Sequence, residues 1–247
     1  MKKILTIILL LSSLSGFSQA NFYRFGIGLQ GGITTAYTGL SYKGAMIASN
    51  PDADKKLGTN KSRTLGGSLD YYFTPFISAG VEYNMVQLTD GPDQYNRQFV
   101  ADFSNIELRG NVAAGQFFDY SYNPLVYALR NINLSLGLGV ISGKNNVADY
   151  TEATDPRRQH ANDIGKSEYS TVLNLPTTIG YRINFFNAYN QNLFQVGVHY
   201  KMVFTFSDDI DGFNDNPAMF QNNSKDAYTT LGFSVKYLFG PTKIFYR

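Results

Sequence analysis

The chain has 247 residues, which fits one domain, and its 21 basic and 19 acidic residues leave a formal net charge of +2. That balance excludes the basic footprint of a nucleic-acid-binding protein, so no nucleic-acid partner is expected. The absence of cysteine excludes disulfides, thiolate metal sites and a lipidated N-terminal cysteine.

Met1-Lys2-Lys3 is a short basic region, and Ile4–Leu11 is an uninterrupted apolar core that Ser and Gly soften through Phe17. Ser18-Gln19-Ala20 puts small residues at both positions a signal peptidase inspects. Residues 1–20 are therefore expected to be a cleaved secretory signal, with 21–247 as one domain. The apolar stretch is shorter than the ~20 residues of a membrane-spanning helix. Later apolar runs such as Leu134–Ile141 are also short, and Gly137 and Gly139 break that one. The mature chain is thus either water-soluble or a β-barrel. Its 18 Tyr, 19 Phe and 23 Gly suit an all-β protein.

Eight segments alternate with period two, the signature of strands with one apolar face. Phe22–Thr34 sets Phe25, Ile27 and Leu29 against Arg24, Gly26, Gly28 and Gln30. Arg63–Phe73 sets Leu65, Leu69, Tyr71 and Phe73 against Gly66, Ser68, Asp70 and Tyr72. In Phe76–Leu88, Val81, Tyr83 and Met85 oppose Gly80, Glu82 and Asn84. In Asp102–Gln116, Ile106, Leu108, Val112 and Ala114 oppose Glu107, Arg109 and Asn111. Ile132–Ile141 places Leu134, Leu136, Leu138 and Val140 opposite Asn133, Ser135, Gly137 and Gly139. Tyr169–Phe185 ends with Ile179, Tyr181 and Ile183 opposite Gly180, Arg182 and Asn184. Phe194–Phe206 sets Val196, Val198 and Tyr200 against Gln195, Gly197, His199 and Lys201. Ala227–Phe239 sets Leu231, Phe233, Val235 and Tyr237 against Gly232, Ser234 and Lys236.

The connections alternate in length. Thr74-Pro75, residues 118–131 and residues 186–192 lie on one side; long polar stretches, 38–61, 89–98, 143–167 and 207–225, lie on the other. Aromatics crowd the strand ends near the short connections, as in an interfacial girdle. These features predict an all-β fold: an eight-stranded antiparallel up-and-down transmembrane β-barrel in a bacterial outer membrane, with periplasmic short turns and extracellular long loops. The polar face is rich in Gly and Asn with sparse mixed charges, which suits the narrow lumen of eight strands better than water. Asp70, Glu82 and Glu107 are expected to pair there with Arg24, Arg109, Arg182, Lys201 and Lys236, with His199 nearby. Such a network fills the lumen and leaves no open pore.

The last strand reads Thr230-Leu-Gly232-Phe-Ser-Val235-Lys-Tyr237. It resembles the C-terminal assembly signal of outer-membrane proteins, which implies the barrel-assembly machinery as a partner. Thr230, Gly232, Val235 and Tyr237 carry the likeness; the departure is that Pro241–Arg247 follows the aromatic. The whole mature chain resembles small eight-stranded barrels of the OmpA/OmpX type. Its Asn- and Tyr-rich style, as in Asp70-Tyr-Tyr-Phe-Thr-Pro75 and Leu175-Pro-Thr-Thr-Ile-Gly-Tyr-Arg182, looks like barrels common in Bacteroidota. The resemblance carries no catalytic motif.

Other motifs have plainer explanations. Gly26-Ile-Gly28-Leu-Gln-Gly31 matches a dinucleotide fingerprint, but strand periodicity runs through it where a helix should start. Asp208–Asp215 is acidic but lacks the oxygen spacing and terminal Glu of a calcium loop. His160 sits in a long loop and His199 on a lumen face, neither beside a nucleophile that a lipid could reach. Arg157-Arg158 and Lys55-Lys56 are loop pairs that could meet lipopolysaccharide phosphates. No catalytic residue, cofactor or metal is expected. The functional expectation is a non-enzymatic barrel with a structural or loop-display role, whose partners are membrane lipid and lipopolysaccharide. One alternative is an accessory subunit of a secretion or gliding machine. It would touch an envelope partner through Asn123–Arg130 and the tail Pro241–Arg247. Another is a narrow carrier of a small apolar ligand.

Overall fold

The computed structural model describes residues 20–37, 62–90, 97–117, 124–149, 166–207, 210 and 225–245. Eight strands follow in chain order: β1 (Ala20–Tyr37), β2 (Arg63–Tyr72), β3 (Ile77–Asp90), β4 (Arg97–Ala113), β5 (Ile132–Asp149), β6 (Lys166–Phe186), β7 (Asn192–Thr205) and β8 (Ala227–Phe245). Each pairs antiparallel with its sequence neighbour, and β8 closes on β1. No helix among the described residues is long and apolar enough to cross a membrane.

The pairing fixes the barrel's shape. A row of partners runs from Phe25 through Tyr71, Ala79, Gly110, Leu136, Thr177, Met202 and Thr229, and returns to β1 at Thr35, ten residues further on. With eight strands and that stagger the strands tilt by about 40°. Closure removes the open edges that a sheet of this size would otherwise expose.

Local chemistry makes the short turns. Thr74 Oγ1 accepts hydrogen bonds from the Phe76 and Ile77 amides at 3.1 and 2.9 Å, so the β2–β3 turn needs no further residues. Between β6 and β7, Asn187 Oδ1 accepts from the Tyr189 and Gln191 amides, each at 2.9 Å. Asn190 takes the left-handed conformation there, φ 58°. The 118–131 connection contains a helix, α1 (Pro124–Leu129), which the alternation analysis does not foresee. β4 ends at Ala113, and Ala114–Gln116 form a 3-10 turn instead of the strand end expected there.

Several strands outrun their expected bounds at the long-loop end. β4 starts at Arg97 and the β5–β6 hairpin reaches Asp149 and Lys166, so residues expected in loops are paired. At the other end, β8 continues to Phe245, with Ile244, Lys243 and Thr242 paired to Asn21, Phe22 and Tyr23. Pro241–Phe245 is therefore strand rather than a free tail. A bulge permits this: the register shifts between Tyr23 and Phe25, opposite Gly240 at φ +91°. A Cβ on Gly240 would lie 2.8 Å from the Phe25 ring, so both conformation and space call for glycine.

The exterior is the inverse of a water-soluble barrel. Ile27, Leu29, Leu69, Val81, Ile106, Leu108, Leu134–Leu138 at alternate positions, Val198 and Phe233 all point outward and are exposed. On β1, β5 and β8 the apolar outward run covers Phe25–Ile33, Ile132–Val140 and Leu231–Phe239. At the strand tilt this is roughly 23 Å of height, close to the ~25 Å apolar band of a membrane barrel. At its lower edge a chain of ring contacts joins Phe73, Tyr71, Phe25, Phe239, Tyr237 and Phe194, with centroids 5.1–6.1 Å apart, across β2, β1, β8 and β7. A surface of this kind is matched to hydrocarbon with an aromatic interfacial rim.

Candidate functional site in the barrel lumen

The lumen holds three layers. At the short-turn end Phe22, Tyr72 and Leu238 are buried together, with Tyr23 and Phe245 against them. Tyr72 donates a hydrogen bond to Gln195 Oε1 at 3.0 Å. Tyr72, one of the strand-end aromatics expected in the girdle, turns inward instead, as its place on the polar face of the alternation requires, while Tyr71 joins the girdle.

The middle layer is ionic. Asp70, Glu82 and Glu107 are 3%, 0% and 1% exposed. Strand pairing sets Glu82 beside Glu107 across β3 and β4. Two carboxylates so placed need cations between them. Lys201 Nζ, from the far wall, bonds Glu82 and reaches Glu107 Oε2 at 2.8 Å. Arg109 reaches Glu82 Oε2 at 2.6 Å and Asp70 Oδ1 at 3.4 Å. Lys236 bonds Asp70.

Amides fill the remaining valences. Asn84 Nδ2 donates to Glu82 Oε1 at 2.8 Å, Gln30 Nε2 donates to Asn84 Oδ1 at 2.7 Å, and Asn105 Nδ2 donates to Glu107 Oε1 at 2.7 Å. Asn174 in turn donates to Asn105 Oδ1 at 2.9 Å. Gln30, Asn84, Asn105 and Asn174 are the network members that sequence reasoning passed over. The alternation put Gln30 and Asn84 on the polar face; Asn84 meets Glu82 two residues away on its own strand, whereas only the barrel's stagger decides what Gln30 of β1 meets.

Of the residues expected in the network, the structure brings together Asp70, Glu82, Glu107, Arg109, Lys201 and Lys236. His199 is half-buried in the lumen, its imidazole lying over Gly232, where a Cβ would stand 2.8 Å from Nε2. Arg182 also faces the lumen, beside the Tyr72 hydroxyl, and makes no ion pair with a described carboxylate. Arg24 is elsewhere. It sits at the β1 bulge, which breaks the alternation, and its guanidinium lies 4.8 Å from the Tyr71 ring centroid, in the outward aromatic chain. The assembly-signal residues split by parity. Thr230 and Gly232 face the lumen; Val235 and Tyr237 are 51% and 43% exposed on the outside.

The third layer, at the long-loop end, is apolar. Ala36, Val86, Leu88, Phe99, Ala101, Phe103, Ile141, Val172, Val203 and Tyr228 close the mouth with Ile210. Ile210 belongs to the acidic 207–225 connection; its amide donates to Asp226 Oδ2 at 2.9 Å while its side chain is 1% exposed. Outward positions at this level turn polar: Thr35 on β1, Gln87 and Thr89 on β3, Asp102 and Ser104 on β4, Ser142 and Lys144 on β5. The apolar face of each of these strands therefore changes sides at one height. On β4 it is outward through Ile106 and inward from Phe103. On β3 it is outward through Met85 and inward from Val86. Among the described side chains, outward apolar groups persist higher at Tyr37, Val100, Phe204 and Phe206, and Lys225 Nζ lies 5.2 Å from the Phe206 ring centroid.

Two lumen cavities have room for only about 10 and 30 Å3 and are lined mainly by polar side chains. His160, Arg157, Arg158, Lys55, Lys56 and the acidic stretch apart from Ile210 lie outside the described residues.

No family model matches the chain. No curated protein matches it either. Among solved structures, Neisserial surface protein A aligns with 11% identity over 87% of this chain and 97% of that one, at a TM-score of 0.45. Ail, the attachment invasion locus protein of Yersinia pestis, aligns with 10% identity over 88% and 99%, at 0.42. The outer membrane protein OprG from Pseudomonas aeruginosa aligns with 14% identity over 88% and 98%, at 0.32. Scores this low carry no functional argument, and the Bacteroidota-like style of the chain stays a resemblance of sequence.

Proposed function

We propose that this protein is a secreted, non-enzymatic β-barrel of a bacterial outer membrane that holds its long loops at the cell surface in a structural or binding role. One observation supports this above the rest: the apolar face of β1, β3, β4 and β5 switches from outside to inside at a common height. Below the switch, hydrocarbon surrounds a polar lumen. Above it, water surrounds an apolar core. The switch level is the outer surface of the membrane, and the barrel stands beyond it as a sealed pedestal for the loops. In this reading residues 1–20 are the export signal. Thr230, Gly232, Val235 and Tyr237 serve the barrel-assembly machinery, and lipid and lipopolysaccharide are the immediate partners.

The packed mouth and the charge network argue against a diffusion pore, which takes about sixteen strands. A narrow carrier of apolar ligands needs an apolar cavity larger than about 30 Å3, and the lumen cavities are polar. Of the contacts expected for an accessory subunit, the tail is tied to β1 through Thr242–Phe245 and keeps Ile244 exposed. The other contains α1, which exposes Tyr127 and Leu129 at the short-turn end.

The test is heat-modifiability of the detergent-extracted membrane fraction, followed by reconstitution into liposomes. A gel-mobility shift on boiling, with no swelling in small sugars, is expected. An unshifted protein in the soluble periplasmic fraction overturns the membrane reading. A stoichiometric partner on co-purification would favour the subunit reading.

A further inference from the structure

The larger cavity lies in the lumen between the ionic layer and the short-turn end. Arg109, Arg182, Lys201 and Lys236 line it, with His199 and Ser234, and no carboxylate does. The reason is the barrel's polarity: Asp70, Glu82 and Glu107 stand on β2, β3 and β4, while Arg182, Lys201 and Lys236 reach in from β6, β7 and β8. The ion pairs of Lys201 and Lys236 cross the lumen, and the cavity lies beside both, next to Arg109 of β4. Four cationic groups here share three carboxylates, and Arg182 has none within ion-pair distance among the described residues. Arg109 is 8% exposed, yet its buried Nε–H has no acceptor. Gly197, paired with Arg182 across β6 and β7, leaves the Arg182 stem its space; a Cβ there would stand 3.3 Å from Cγ.

We propose that this cavity binds a small monovalent inorganic anion of the chloride class. A half-buried lumen charge without a counter-ion and a buried donor without an acceptor both carry a free-energy cost that one such ion removes. About 30 Å3 suits one or two water-sized species and is too small for a phosphate ester or a sugar. The site depends on the lumen geometry alone, so it stands whatever the loops bind.

The full mature barrel, purified in detergent, is crystallised and soaked in sodium bromide. An anomalous peak in the cavity within hydrogen-bonding reach of Arg182 is expected; water alone in the cavity of the bromide-soaked crystal overturns the proposal. In solution, thermal unfolding is compared in sodium chloride and sodium gluconate at equal ionic strength. Chloride is expected to raise the midpoint by several degrees in the unmodified protein and to have no specific effect in Arg182→Gln. An equal chloride effect in both proteins overturns the site. The diffraction arm needs no variant, so it decides the matter even if Arg182→Gln fails to assemble.

Discussion

The middle and the mouth of the lumen solve the same packing problem with opposite chemistry. Around Glu82, where the barrel's outside is apolar, the inside is filled by ion pairs and amides. Around Phe99, where the outside is polar, the inside is filled by hydrocarbon. The period-two backbone is unchanged between them; only the assignment of faces flips. Surroundings, rather than strand geometry, thus dictate which face is apolar. A buried ionic layer is tolerated behind the apolar exterior because every carboxylate there has a cation. The mouth needs no such matching.

The comparison breaks most visibly at its ionic member. Glu82→Ala leaves Arg109 and Lys201 short of a counter-charge and is expected to cost about 3–5 kcal/mol. Urea titration of the heat-modifiable band reads this, and a cost under about 1 kcal/mol would mean that the network does not hold the lumen. The boundary is tested on one strand and one face. Leu108→Arg, in the apolar band, is expected to cost about 2–4 kcal/mol in lipid. Asp102→Arg, beyond the boundary, sets a cation opposite Lys144 and should still cost no more than about 1 kcal/mol. Equal costs at the two positions would place the boundary elsewhere. The smallest effect comes from the mouth. Ile141→Val removes one methylene from a fully buried side chain and should cost about 0.5–1.5 kcal/mol, alike in detergent and in lipid because that layer touches neither. A marked dependence on the lipid would show the mouth to be inside the membrane.

Much of this was legible from residue order. Alternation reveals eight strands because a strand's side chains can only go to two sides. The same parity separates Glu82, Arg109 and Lys201 from Val81, Leu108 and Tyr200. The face switch was present too, as the phase change between Phe103 and Ile106 and between Met85 and Val86. A reading that follows one apolar stripe per strand passes over it. Arg24 misled for a related reason: parity fails at a bulge, and the bulge depends on Gly240, 216 positions away in the chain. Helix α1 escaped because six residues carry too little periodicity to stand out.

By itself, then, the order of residues determined the strand count, the antiparallel path and the inward or outward parity of nearly every side chain. These are local properties of an extended backbone and its turns. Which charges meet across the lumen, that the face switches of separate strands fall at one height, and that β8 runs on to pair with the start of β1 were decided only in three dimensions. Each depends on the ten-residue stagger at closure. That stagger is a property of the closed ring of strands and of no single strand.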